Sequence, residues 1–137
     1  MSVRMTETGQ ENIADGNNSL SYRLRTSAKA ADYTIVATDT GTVFTTRGAT
    51  GAIVFTLPAV TSSFTNFVCW FFNAVDQNMT IQSTANEMMT FNDLDADAVA
   101  FTTSSEKVGA SVMVVCDGTS WLIMPMTEET QTMSVTT

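Results

Sequence analysis

The stretch that decides the fold runs from Thr38 to Ala59, "TDTGTVFTTRGATGAIVFTLPA". Two short runs in it, "TVFTT" and "AIVFTL", carry the β-branched and aromatic residues that suit a pleated, half-buried surface. Between them lies "RGATG", whose glycines punctuate the chain. Ahead of them "DTG" reads as a turn: Asp39 can bond the backbone beyond it, and Gly41 can take a positive φ. Pro58 closes the second run because it cannot donate to a ladder. Upstream, "DYTIVAT" alternates Tyr33, Ile35 and Ala37 against Thr34, Val36 and Thr38. The expectation is three short strands joined by tight turns, a meander.

The same rhythm continues downstream. "PAVTSSFT" reads as a loop or one helical turn, and "MTIQS" and "VAFTT" as strands. "NFVCWFFN" (Asn66–Asn73) is apolar at every inner position, which places it between two covered faces, in the middle of a sandwich. "NEMMTFNDLDADA" reads mostly as loop, with a short strand at Met88–Phe91. "ASVMVVC" and "TSWLIMPM" flank Asp117-Gly118, the composition that a tight hairpin needs. No segment from Asp32 onward keeps a helical period for three turns. The fold expected is all-β: an antiparallel β-sandwich, jelly-roll-like, of eight or nine short strands. Residues 1–31 read as an extended arm, 32–127 as the sandwich and 128–137 as a loose polar tail.

Charge divides along the same line. The formal net charge is −8. Residues 1–31 hold Arg4, Arg23, Arg25 and Lys29 against Glu7, Glu11 and Asp15, so the excess of acid lies in the body. An acidic body argues against nucleic acid or an anionic membrane as partner. The start, "MSVRMTETGQENIADG", is polar and reads as no signal peptide. No apolar run approaches the ~20 residues that span a bilayer. Cys69 and Cys116 sit in apolar runs and read as buried thiols, with a disulfide between facing strands as the alternative.

The chain has no histidine, which removes the commonest general base and metal ligand. Asp93, Asp95 and Asp97 open like a calcium loop, but Ala98 stands where that loop needs glycine, and Ser104 where it needs its closing glutamate. No enzyme activity, metal, cofactor or small-molecule substrate is expected. Trp70, Phe71, Phe72 and Trp121 suit a carbohydrate platform, or the packing of a core or subunit interface. Phe67, Trp70, Phe72, Trp121 and Ile123 are the candidates for a core or a homotrimer interface. In the arm, Ile13, Leu20, Tyr22, Arg23, Leu24, Arg25 and Lys29 are equipped to dock, and "LSYRLR" alternates as an edge strand does.

The run Y-T-(I/V)-x-A-x-D-(T/S)-G-x-x-F-T-x-x-G-A-T-G-A-(I/V)-x-F-T-L-P, here Tyr33 to Pro58, resembles a segment of tailed-phage structural proteins. "GASVMVVCDGTSWLIM" is similar to that family's closing hairpin, with Cys116 in place of a serine. The resemblance covers Asp32 to Met126. It implies a β-rich, commonly trimeric domain of the kind found in capsid decoration (cement) proteins and in tail-fibre, head-fibre or spike modules. One domain with one arm and no repeats fits a protein that clips onto a preformed shell. The implied partners are the major capsid protein and the chain itself, and the implied place is the capsid surface of a virion, after synthesis in a host cytoplasm. A carbohydrate-binding β module is the reading outside a virion.

Overall fold

Thr42–Thr45 and Ile53–Leu57 are both strands, but they lie in different sheets. The computed structural model describes residues 23–127 and 130–137. In chain order the strands are β1 (Arg25–Ala28), β2 (Tyr33–Thr34), β3 (Thr42–Thr45), β4 (Ile53–Leu57), β5 (Val68–Phe72) and β6 (Met79–Ser83). They continue as β7 (Met88–Thr90), β8 (Asp93–Ala96), β9 (Ala98–Phe101), β10 (Ser111–Cys116), β11 (Trp121–Pro125) and β12 (Ser134–Thr136). One sheet has the order β1-β3-β5-β10-β11-β7-β8, and the second β12-β9-β6-β4-β2. We call these sheets A and B. The chain is therefore all-β, two sheets over one core, with one-turn 3₁₀ segments at Ala37–Asp39 and Ser62–Phe64.

The expected meander is corrected by this arrangement. From β1 to β6 the chain alternates strictly between sheets A and B, and neighbours within each sheet run parallel. It winds as a flattened coil. The reason lies in the connections. After β3 the Thr46 N–H donates to Phe72 O and keeps the chain on sheet A, and Ala49 N–H then turns back to Thr46 O. Gly48 takes φ +89° there. The seven residues from Thr46 to Ala52 are too many for a tight hairpin and enough to cross the ~10 Å between packed sheets. Phe44 and Phe55 thus meet across the sandwich, centroids 5.8 Å apart, instead of side by side on one sheet.

Other expectations need revision too. The sheets are mixed rather than antiparallel, since half of the ten pairings are parallel. Among the described residues there are twelve strands rather than eight or nine. The extra ones include β8, inside the segment read as loop, and two that cross the domain limits read from composition. β1, within the 1–31 arm, pairs with β3, and β12, within the tail, pairs with β9. The hairpin at Asp117-Gly118 forms as read, β10 against β11. Asp117 Oδ1 accepts the N–H groups of Thr119 and Ser120 at 2.8 Å, which hold its carboxyl below the usual range.

Alternation then builds the core. Inward residues of β3, β4, β5, β6, β9, β10 and β11 are buried. Phe44, Phe55 and Phe71 pack as one aromatic group, with Phe55 and Phe71 centroids 4.7 Å apart. Phe64, Phe67 and Trp121 form a second, edge-on group. Trp121 is fully buried and its indole N–H donates to Pro58 O at 2.9 Å. Where the chain leaves sheet A, buried Thr46 Oγ1 donates to Asn73 Oδ1 at 2.6 Å and accepts from Ala74 N–H, while Asn73 Nδ2 donates to Gln77 O. This network satisfies the polar groups that a buried strand end would orphan.

Candidate functional site

Alternation also leaves each sheet an outer face, and the two differ. On sheet A, Val43, Trp70, Met113 and Met124 stand directly opposite one another across β3, β5, β10 and β11. A second row runs Val68, Val115, Leu122, Met89 across β5, β10, β11 and β7. A third runs Ala28, Thr45, Phe72, Ser111. No outward residue in these rows is charged. Five strands at about 4.8 Å, each some five residues long, make an outer surface of roughly 400 Å², within the range of the largest patch on an ordinary monomer and often functional there. On sheet B the outward rows are Thr34, Thr56, Gln82, Ala98, Thr136 and Val54, Thr80, Ala100, Ser134. These are small and mostly polar, and Gln82 Nε2 donates to Thr56 Oγ1 at 3.2 Å. Sheet A offers dispersion and release of water; sheet B suits solvent.

The five candidate core or interface residues fall into two groups. Phe67, Trp121 and Ile123 point inward and are buried. Trp70 and Phe72 point outward, and Phe72 is 40% exposed. The reading of "NFVCWFFN" as covered on both faces is corrected here: Cys69 and Phe71 fill the core, and the opposite face lies open. A continuous apolar run looks the same whether its second face meets a sheet of the same chain or a partner. For the carbohydrate platform, Phe71 and Trp121 are buried away from any ligand. Trp70 has Val43 and Met113 as cross-strand neighbours, which bring no hydroxyl-binding groups beside its ring.

The docking residues also divide. Ile13, Leu20 and Tyr22 lie outside the described residues. Arg23 and Leu24 are exposed at the start of β1, Leu24 by 54%. Arg25 and Lys29 turn onto their own chain. Arg25 Nη2 donates to Thr38 O at 2.8 Å and to Thr40 O at 2.5 Å, clipping the edge strand to the turn before β3. Lys29 Nζ sits 3.7 Å above the Tyr33 ring, a cation–π contact. The Tyr33 hydroxyl donates to Asp39 Oδ2 at 2.9 Å, and that oxygen also accepts Val36 N–H. Burial, then the Asp39 bond and charge, push the Tyr33 hydroxyl up. Sequence alone gives no sign that these two cations are spent internally.

Asp93 and Asp95 serve the β7–β8 hairpin. Asp93 Oδ1 accepts Asp95 N–H at 3.0 Å, and Asp93 Oδ2 accepts the hydroxyl of Thr137. Among the described residues no group of three or more His, Cys, Asp or Glu could hold a metal ion. Among them, too, no helix is long and apolar enough to cross a membrane.

Cys69 and Cys116 are free and buried. They point into the core from adjacent strands, Cys69 opposite Val114 and Cys116 beside Phe67. Burial pushes both thiols up, with the Asp39 charge adding at Cys69 and those of Asp117 and Glu87 at Cys116, against the lowering Gly118 N–H. A raised pKa means that the folded state keeps protons the unfolded chain sheds. This contribution to stability is whole below the ordinary thiol value of 9.0 and is lost as pH rises above it. At pH 8 the native protein should leave a disulfide reagent uncoloured, and two thiols should titrate in denaturant. Rapid labelling of the native protein would show the core to be open.

A scan against protein-family models and a search of curated proteins find no match to this chain.

Proposed function

We propose that the chain is a non-enzymatic structural protein of a virion, a homotrimeric decoration protein that binds the major capsid protein of an assembled shell and stabilises it. One observation carries the reading: the protein is built with a bulky, uncharged apolar face on sheet A and a small polar face on sheet B. Such polarity suits a part that is buried in an assembly on one side and wet on the other. The resemblance to tailed-phage structural proteins supplies the kind of assembly. Self-association places Trp70, Phe72 and Met124 against neighbouring copies. Attachment falls to residues 1–22, since Arg25 and Lys29 are engaged by the body.

The test is sedimentation with undecorated shells. The full chain should pellet with them, and three arms on one trimer should bind with avidity. A chain lacking residues 1–22 should stay folded and self-associated but remain in the supernatant. Full occupancy by the truncated chain would move the attachment to the body.

The tail-fibre, head-fibre or spike reading draws on a different observation. β1 to β6 wind as parallel rungs, a geometry that can be prolonged along an axis. Fractionating virions into heads and tails and probing each with an antibody separates the two readings.

A further inference from the structure

The two ends of sheet A carry matching sequences of opposite charge. At one edge β1 begins within Arg23-Leu24-Arg25, and at the other β8 begins with Asp93-Leu94-Asp95. Both are terminal strands, and among the described residues each has one side unpaired within the sheet. Both central leucines are exposed, Leu24 by 54% and Leu94 by 70%. Six strand spacings, about 29 Å, keep these edges apart within one copy. An open edge of this kind is a template for another strand unless something covers it.

Strand directions fix how a second copy would fit. β1, β3 and β5 run together. β10 opposes β5, β11 opposes β10, β7 follows β11, and β8 opposes β7. β8 therefore runs opposite to β1. A copy rotated about an axis along the strands keeps the direction of its β1, so β1 meets β8 of the next copy antiparallel. In the register that sets charge against charge, Arg23 faces Asp95 and Leu24 faces Leu94, beside an irregularity in the pairing of β8 with β7; Arg25 then approaches Asp93, whose carboxylate also accepts Asp95 N–H and the Thr137 hydroxyl. Both bonds that Arg25 makes to its own chain come from Nη2, and the guanidinium fork has donors on its other nitrogens.

We propose that β1 of one copy pairs with β8 of a second copy, extending sheet A head to tail around a closed ring. This rests on the reading of the chain as self-associating, and it names the contact. Head-to-tail contacts close into rings when the rotation allows. A ring also removes every open edge of sheet A, and with the apolar faces turned toward its axis it sets Trp70, Phe72 and Met124 of neighbouring copies toward one another.

Arg23 and Asp95 give the cleanest test, because both side chains are exposed and lie clear of the core. Sedimentation equilibrium of the full chain, Arg23→Glu, Asp95→Lys and the double variant reads the association constant. Melting curves confirm that each is folded. Each single reversal should weaken association at least about fivefold, and the double variant should recover most of the loss. Singles that associate as tightly as the native chain would overturn the edge pairing and leave the apolar face as the contact. Singles that weaken without recovery in the double variant would overturn the Arg23–Asp95 match. A native chain that is monomeric throughout would remove self-association itself, and the edge contact with it.

Discussion

Trp121→Ala should lower the unfolding free energy by about 4 kcal/mol, a large fraction of the roughly 5–15 kcal/mol by which domains are stable. Three losses combine. The fully buried indole leaves a cavity between the sheets. Phe64 and Phe67, at 5.2 and 5.7 Å from the Trp121 ring, lose their edge-on partner. Pro58 O loses the indole N–H, and an unsatisfied buried carbonyl is itself expensive. Trp121→Phe keeps a ring in the site and removes the N–H, so it should cost about half as much. Urea unfolding checks this: the midpoint should move with little change in slope. A shift under about 1 kcal/mol for the alanine variant would mean that the second aromatic group is not what locks the β10–β11 hairpin to the loop after β4.

The second large effect falls on association and spares the fold. Trp70 is central in the outward row of sheet A, between Val43 and Met113. A carboxylate there would be hydrated in an isolated copy and desolvated, without a partner, against a neighbour. If the proposed homotrimer forms through this face, Trp70→Glu should yield a folded monomer at concentrations where the native chain associates, by light scattering. Its melting temperature, measured as a monomer, should change little, because Trp70 points away from the core. A Trp70→Glu protein that stays trimeric would clear the face of any part in self-association. Loss of the fold would show instead that the residue supports the sheet from outside.

How much of this was legible in sequence depended on range. The strands themselves were visible in local pattern: "AIVFTL" became β4, "VAFTT" supplied β9, and Asp117-Gly118 made its hairpin. Strand direction was not, because "RGATG" carries the same glycines whether the chain folds back beside β3 or crosses to sheet B. The choice is made by Thr46 bonding Phe72 and Asn73, far along the chain. β8 and β12 were missed because strands of four and three residues, rich in aspartate, serine and threonine, lack an apolar period. Of the five candidate core or interface residues, Trp70 and Phe72 face outward and Phe67, Trp121 and Ile123 inward, a division that needs the side each strand presents. The likeness of "RLR" to "DLD", with opposite charge, is visible in the sequence. It acquired meaning only when the two strands proved to be opposite ends of one sheet.

The coil has a kinetic consequence. In a meander each strand finds its partner next along the chain, whereas here consecutive strands from β1 to β6 never share a sheet. Partners such as Arg25 with Thr42, Thr42 with Cys69 and Ile53 with Met79 are separated by roughly 17 to 27 residues, so loops must close before ladders reward them. The β5–β10 ladder spans a longer loop still. Refolding should accordingly fall at the slow, millisecond-to-second end of the range for small domains. Throughout that interval the strand bearing Trp70 and Phe72 is without its neighbours, which makes dilute refolding conditions and early chaperone capture matter more for this chain than its size alone would suggest.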